Sequence, residues 1–511
     1  MVLKWKDKIR SPIELAEIIK DKKNQGKIVA QCHGVFDLLH RGHLHQFEQV
    51  KSRADILVVS LTADQYVLKG PGRPVFNQNI RAEMMAALEL VDFVTIIESV
   101  SAVEIIKLLR PDYYVKGQSY QEASKDITGK IGPEVEAIST VGGEIIFTNE
   151  MPIRSTPLLN SYIDPYPEDV LLFLDSFKKK NPFPSFVNAV NRFQNLRIIL
   201  IGETIVDQYD YVEPMDVSPK GRVITTRHLS SESFAGGILA CANHMATFCS
   251  TVDVVSALGS RNSHKGFVSR SLAENVKPWF LIREGVDTLV KRRQVENYRF
   301  LKQSETYYGD ESRLREKEEN ELFNRLCAVR NDYDLIFIVD YGHGLITPRI
   351  IDFISRKSHK SKLAVNVQIN SANKGFHFIT RYPFADFISL ADFEVRLAFC
   401  DRESSPQDLT KKLIEKLSAS TVAITLGRKG SIVSDKNNSC STPGFSKLII
   451  DTVGAGDAFF SLAALSFVSG FDIEFTGFIG NLAGALSTTY IGNKSSVTKS
   501  MLLNFAQTLL S

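Results

Sequence analysis

The run Gly34-Val35-Phe36-Asp37-Leu38-Leu39-His40-Arg41-Gly42-His43, "GVFDLLHRGH", sets two histidines three residues apart around a glycine. It follows "KIVAQCH" (27–33), which reads as a buried strand, and a helical stretch comes after it. Imidazole and glycine are poor choices for a helix interior, so packing alone does not account for them. A buried parallel strand emerges at the carboxyl edge of its sheet, where open α/β folds bind ligands. Gly34 permits the turn there, and Gly42 lets backbone approach a bulky anion at the next helix N-terminus, whose free N–H groups favour negative charge. His40 and His43 can then both face that anion, as donors to the charge that gathers on a phosphate chain during displacement. The spacing leaves two alternatives open: a zinc pair, with Cys32, His33 and His45 nearby, or two surface histidines.

Outward from this run, short apolar stretches alternate with helical ones. "ADILVVSLT" (54–62), "FVTII", "DYYVKG" and "GGEIIFTN" read as strands, and "RAEMMAALEL" (81–90) and "AVEIIKLL" as helices. Such alternation means βαβ units on a parallel sheet covered on both faces. The expected fold class is two doubly wound α/β domains, the first Rossmann-like. Residues 1–160 form the first domain. Residues 161–194, with four prolines, a lysine run and one amphipathic helix, form a linker. Residues 195–511 form the second domain, beginning at "LRIILIGE". Its early part, 209–237, lacks helical periodicity and suggests a small separate sheet.

The chain has 511 residues, 44% hydrophobic and 23% charged, as a globular protein with full cores requires. A net charge of +3, from 61 basic and 58 acidic residues, implies no nucleic-acid partner. The six cysteines are scattered without a C-x-x-C pair, and no apolar run is long enough to span a bilayer. These features point to a cytoplasmic protein with no membrane partner.

A second glycine run, "DTVGAGDAF" (451–459), follows the strand-like "SKLII" and precedes the apolar "AFFSLAALSFV". Gly454 and Gly456 around Ala455 let successive N–H groups converge at a helix N-terminus, a nest for a phosphoryl group in transfer. Asp457, in the first turn, is placed to take a proton from an attacking hydroxyl. A plain N-cap with a glycine turn would explain Asp457 but not both glycines and Thr452. No Walker A run occurs in the chain.

"GVFDLLHRGH" resembles the G-x-F-D-x-x-H-x-G-H signature of cytidylyltransferase-like nucleotidyltransferases. "LKGPGRPV" (68–75), "RPDYYVKGQSY" (110–120) and "IRSTPLLN" (153–160) follow in the order of the transferase half of the bacterial heptose-phosphate kinase/adenylyltransferases. The resemblance implies that His40 and His43 contact the transferred phosphates, and that Gly34, Phe36, Asp37, Gly42, Lys116, Ser155 and Thr156 border the nucleotide. Lys69, Arg73 and Arg81 would grip the sugar phosphate. A triphosphate meeting a sugar phosphate gathers about six negative charges, which these cations, Arg154 and Mg²⁺ would offset.

"DTVGAGD" resembles the D-T-x-G-A-G-D signature of the ribokinase-like (PfkB) carbohydrate kinases, with support from "GETIVDQY", "AGG", "VKRR", "DYGHG", "TLGRKG" and "IGNLAGAL". Carried over, Asp457 is the base and Gly454, Ala455 and Gly456 form the anion hole. Thr425, Gly427 and Asn481 border ATP. Asp207, Gly236, Gly237, Lys291 and Arg293 meet the sugar, and the strands near 209–235 form a lid. There are departures. Ala240 and His343 replace the expected asparagine and lysine, "NVQ" (366–368) replaces D-P-K, and the Mg²⁺-placing N-x-x-E motif is met by "SLAD", with Asp392 as the ligand.

Together these resemblances imply a bifunctional enzyme making a nucleotide-activated sugar for surface-polysaccharide supply, its domain order the reverse of the heptose enzymes. One half phosphorylates a sugar or sugar phosphate with ATP. The other transfers AMP or CMP, from ATP or CTP, to a sugar 1-phosphate. The partners are small-molecule sugar phosphates and nucleotides, and the resemblance implies a homodimer. The alternative is a nucleotidyltransferase whose kinase-like half is a non-catalytic sugar-binding or dimerisation module.

Overall fold

A computed structural model of the chain describes residues 4–117, 131–148, 166–218, 220–221, 223–329, 332–356 and 360–510. They form two compact units, Met1–Phe183 with Ser500–Ser511, and Pro184–Lys499.

The first unit is built on five parallel strands: β1 (Val29–Gly34), β2 (Ile56–Thr62), β3 (Phe93–Ile97), β4 (Tyr113–Gly117) and β5 (Glu144–Thr148), in the order β3-β2-β1-β4-β5. Successive strand residues face opposite sides, so the unbroken apolar runs feed two cores. Ala30, Leu57 and Val59 pack with Phe47 and Met85 on one face. Val29, Ile56 and Val58 pack with Leu15, Ile19 and Ile106 on the other. The strand order reverses between β1 and β4, and the crevice at such a switch point is where α/β sheets bind ligands. The "GVFDLLHRGH" loop leaves the sheet there.

The second unit has a nine-stranded sheet and a four-stranded one. Its strands are β6 (Ile198–Gly202), β7 (Thr204–Val217), β8 (Ile224–Gly237), β9 (Val252–Arg261), β10 (Val276–Asp287), β11 (Val290–Glu296), β12 (Leu301–Tyr308), β13 (Leu335–Asp340), β14 (Lys362–Val367), β15 (Phe387–Ala391), β16 (Thr421–Thr425), β17 (Ser431–Asp435) and β18 (Ser439–Thr442). The large sheet runs β10-β9-β6-β13-β14-β15-β16-β17-β18, parallel except at β17 and β18. Its switch point lies between β6 and β13. Just beyond it, the Glu203 carboxylate accepts from Tyr341 N (3.1 Å) and His343 N (3.2 Å), joining the two loops. The small sheet, β12-β11-β7-β8, is the one expected from residues 209–237, and it includes two later strands that the pattern there did not reveal.

Two local expectations are corrected. "SKLII" is not a strand: β18 ends at Thr442, and residues 443–450 reach the glycine run as irregular backbone. The connector holds two helices, Glu168–Lys180 and Phe183–Asn191, because Pro167, Pro182 and Pro184 stand at or before their first turns instead of interrupting them.

Candidate active sites

In the first unit, His40 is the N-cap of the helix Arg41–Lys51: its Nδ1 accepts from Gly42 N at 3.1 Å. That bond fixes the tautomer and leaves Nε2–H as the ring's donor. His43, one turn on, stacks against His40 with ring centroids 3.9 Å apart and planes at 24°, and the Phe36 ring meets its edge at 5.0 Å. Burial, with help from His40 and Lys69, pushes His43 down to about 3, and burial also lowers His40. Both rings are therefore neutral at pH 7. His43 Nδ1 is buried without a hydrogen-bond partner.

The cations around them divide by what they already hold. Arg81, fully buried, donates to Phe76 O, Val35 O, Thr62 O and Asp64 Oδ1 at 2.5–2.9 Å. Those bonds tie together the loops after β1 and β2 and the turn before its own helix, so Arg81 acts as a structural clamp. Arg81→Ala is expected to cost about 1–3 kcal/mol of stability, read as a lower urea midpoint, since it leaves three carbonyls and the partly exposed Asp64 carboxylate without their donor. Lys116 pairs with buried Glu134 at 2.9 Å. Arg73 Nη1 stands 3.7 Å from Asp37 Oδ2, while Asp37 Oδ1 accepts from Phe76 N. Among the described residues no carboxylate lies within ion-pair distance of Lys69, whose ammonium burial pushes down. Asp37 opposes that shift, and Arg73 and Arg81 add to it. Ser155, Thr156 and Arg154 lie outside the described residues.

In the second unit, a cavity of about 320 Å³ opens where the glycine run begins the helix Ala455–Val468. Gly454, at φ +82°, caps that helix in the left-handed region, and a Cβ there would stand 2.4 Å from Asn493 Oδ1. Asp457 faces the cavity and accepts from Gln368 Nε2 at 2.7 Å. Burial pushes its carboxyl up to about 7, with Tyr341 and Gln368 opposing and Asp207 reinforcing. Across the cavity Asp207 takes Arg293 Nη1 at 2.6 Å, and Arg293 Nε meets Glu305 at 3.2 Å. Gly236 makes room for this pair, since a Cβ would fall 2.1 Å from Asp207 Oδ2. Lys291 also lines the cavity, its ammonium over the faces of Tyr307 (4.9 Å) and Tyr341 (5.7 Å), with no described carboxylate in ion-pair range. Asp451 anchors the lid: it accepts from Tyr209 Oη (2.8 Å) and Gly492 N (2.9 Å) and pairs with Lys302 Nζ (2.5 Å).

Residues 32–158 match the family model for cytidylyltransferase-like proteins, and residues 354–500 that for pfkB family carbohydrate kinases. The chain carries one segment similar to each family, the cytidylyltransferase-like one first. Over 146 residues it is 36% identical to the bifunctional protein HldE of Syntrophotalea carbinolica, covering 28% of this chain and 30% of that protein. Over 134 residues it is 39% identical to the HldE of Aliarcobacter butzleri, covering 26% and 28%. The chain thus spans less than a third of the length of these relatives. In fold it is similar to phosphofructokinase-2 from Escherichia coli in complex with potassium, with a TM-score of 0.51 at 14% identity, covering 61% of this chain and 99% of that one.

Of the residues assigned to the PfkB site from sequence, Asp207, Gly237, Lys291, Arg293, Thr425, Gly454, Gly456 and Asp457 line one cavity. Asn481 does not: its amide donates to Thr442 O and Pro443 O and holds the loop after β18. Gly427, at φ +60°, turns the chain beyond the cavity. Asp392 is also corrected. It opens the helix Asp392–Phe399 and pairs with Arg396 Nε at 2.7 Å, one turn along the same helix. Glu394 lines the cavity instead, pushed up to about 7 by burial, its oxygens accepting from Ile369 N (2.9 Å) and Ala391 N (2.8 Å). The third helical residue folds back over the helix N-terminus, and the "ADFE" spacing was the available signal. Asp392→Ala is expected to leave ATP-dependent phosphorylation within about twofold, and Glu394→Ala to lower it at least about tenfold, measured as ADP formation. Gln368 and Asn366 were also missed as site residues, because "NVQ" looked like a loss of the D-P-K run. Yet Asn366 Oδ1 is a buried acceptor without a partner on the cavity wall.

Proposed function

We propose that the chain makes a nucleotide-activated sugar at two separate sites. The PfkB unit phosphorylates a sugar or sugar phosphate with ATP. The cytidylyltransferase-like unit joins a sugar 1-phosphate to AMP or CMP, drawn from ATP or CTP. The observation that carries this reading is that each unit presents a helix N-terminus built for a polyphosphate, one beside stacked neutral imidazoles and the other beside a carboxylate poised near pH 7.

In the PfkB unit, Asp457 takes the proton from the attacking hydroxyl, and the N–H groups at the start of its helix meet the phosphoryl group in transfer. Gln368 donates to one Asp457 oxygen, and Tyr341 also faces the carboxylate. Lys291 supports the choice of an anionic sugar. The residues fit a Mg²⁺ that arrives with ATP, because such an ion needs one or two protein oxygens beside the phosphates, and Asn366 Oδ1 and Glu394 are at hand. Bound there, it would neutralise charge on the β- and γ-phosphates. In the first unit, an oxygen of the sugar phosphate attacks the α-phosphorus, and the bond to the β-phosphate breaks to release pyrophosphate. His40 Nε2–H, His43 and Lys69 are placed to donate to the oxygens that gain charge.

An Asp457 with its anion hole in place argues against a non-catalytic second half. A homodimer remains part of the proposal, and Met215, Val217, Val223 and Ile224 are among the apolar side chains exposed on the lid. Among the described residues no helix is long and apolar enough to cross a membrane. The deciding experiment supplies ATP or CTP with a panel of sugars, sugar phosphates and sugar 1-phosphates, and reads ADP and pyrophosphate separately. Formation of neither product across the panel would sink the proposal.

A further inference from the structure

The PfkB match ends at residue 500, and Ser500–Ser511 belong to the first compact unit. The helix Lys499–Leu510 buries Leu502, Phe505 and Ala506 almost completely. Phe505 lies against the loop that carries Lys69 and Arg73. A Cβ built on Gly70 would stand 2.0 Å from Phe505 Cδ2 and 2.6 Å from both Cγ and Cε2, so the ring covers the bare Cα face. At the loop's far end, Arg73 reaches Asp37 Oδ2 at 3.7 Å. Gly70 and Gly72 sit at φ +94° and +77°, and Arg73 N donates back to Gly70 O at 3.2 Å. Two glycines give the free loop many conformations, so contacts from the rest of the fold must select among them.

We propose that Phe505 is a positioning residue of the first unit's site: its ring seats the Gly70–Arg73 turn and so aims Lys69 and Arg73 at the bound polyphosphate. The inference rests on the reading of that site as a nucleotidyltransferase. A group held in place before binding loses no ordering entropy when the ligand arrives, so the ring acts on affinity more than on the bond-breaking step.

The test compares the full chain with Phe505→Ala, Phe505→Leu and Leu502→Ala, the last removing an equally buried side chain from the same helix. Two quantities are read: KM and kcat for pyrophosphate release, and calorimetric affinity for inorganic tripolyphosphate at the site that His43→Ala removes from the isotherm. Phe505→Ala is expected to weaken tripolyphosphate and raise KM by about tenfold, with kcat within about threefold. Phe505→Leu should recover part of the loss. Leu502→Ala should lower the melting temperature and leave both constants within about twofold. An equal loss of affinity in Phe505→Ala and Leu502→Ala overturns the proposal, as does unchanged affinity in Phe505→Ala or a wild type with no such tripolyphosphate site. Weakened tripolyphosphate binding in Phe505→Ala, in a protein that releases no pyrophosphate from any nucleotide, overturns the transferase reading and leaves the positioning role standing.

Discussion

Asp457→Asn is expected to lower ATP-dependent phosphorylation by about 10²–10⁴-fold, the range lost with a general base, and to leave pyrophosphate release unchanged. The amide keeps the shape of the carboxylate but cannot take the hydroxyl proton. ADP formation and pyrophosphate release, assayed on the same preparation, check both halves of this statement. The wild-type pH profile gives an independent check. Asp457 is pushed up from 3.8 to about 7, chiefly by burial. It works as a base only when ionised, so kcat/KM for phosphorylation should rise up to about pH 7 and then level. Stability has the opposite sign. Between the unfolded value and the folded one, the native protein binds the extra proton, so ionising Asp457 costs stability as pH rises through that window. Asp457→Asn should therefore gain more in melting temperature at pH 8 than at pH 4. A flat activity profile across pH 6–8 would argue that another group takes the proton.

His43→Ala is expected to lower pyrophosphate release by about 10²–10³-fold, or about 2.7–4 kcal/mol of transition-state stabilisation, as for loss of one pre-placed donor. Phosphorylation by the second unit should not change. Because burial, His40 and Lys69 hold His43 down near 3, its imidazole is neutral at pH 7. An arriving triphosphate favours the charged form, so binding should draw a proton onto the His40–His43 pair and tighten as pH falls. Calorimetry in two buffers of different ionisation enthalpy reads that uptake directly. Proton release on binding would contradict it. Equal loss of both activities in His43→Ala or Asp457→Asn would contradict independent sites.

The two motifs were legible because the geometry they encode is local. A glycine, a capping side chain and a residue one turn later define a helix N-terminus within ten positions, wherever the helix sits in the fold. His40 as N-cap, His43 stacked on it, and Asp457 one turn into its helix follow from that spacing. Cations were the hardest class to read. Arg81, Lys116 and Lys69 look alike as positive residues near a phosphate motif. The first is held by four acceptors, the second is paired with Glu134, and the third has no carboxylate in ion-pair range among the described residues. Nothing within a few residues of each separates them, because their partners come from other strands and loops.

From the sequence alone came the alternating α/β pattern, the small additional sheet, and the two glycine-flanked helix N-termini, all set by periodicity and nearest-neighbour sterics. Only the tertiary structure decided that Glu394 and not Asp392 faces the cavity, that Asn481 holds a loop, and that Phe505 covers Gly70. A side chain's role depends on which distant groups reach it first, and that is set by how the elements pack.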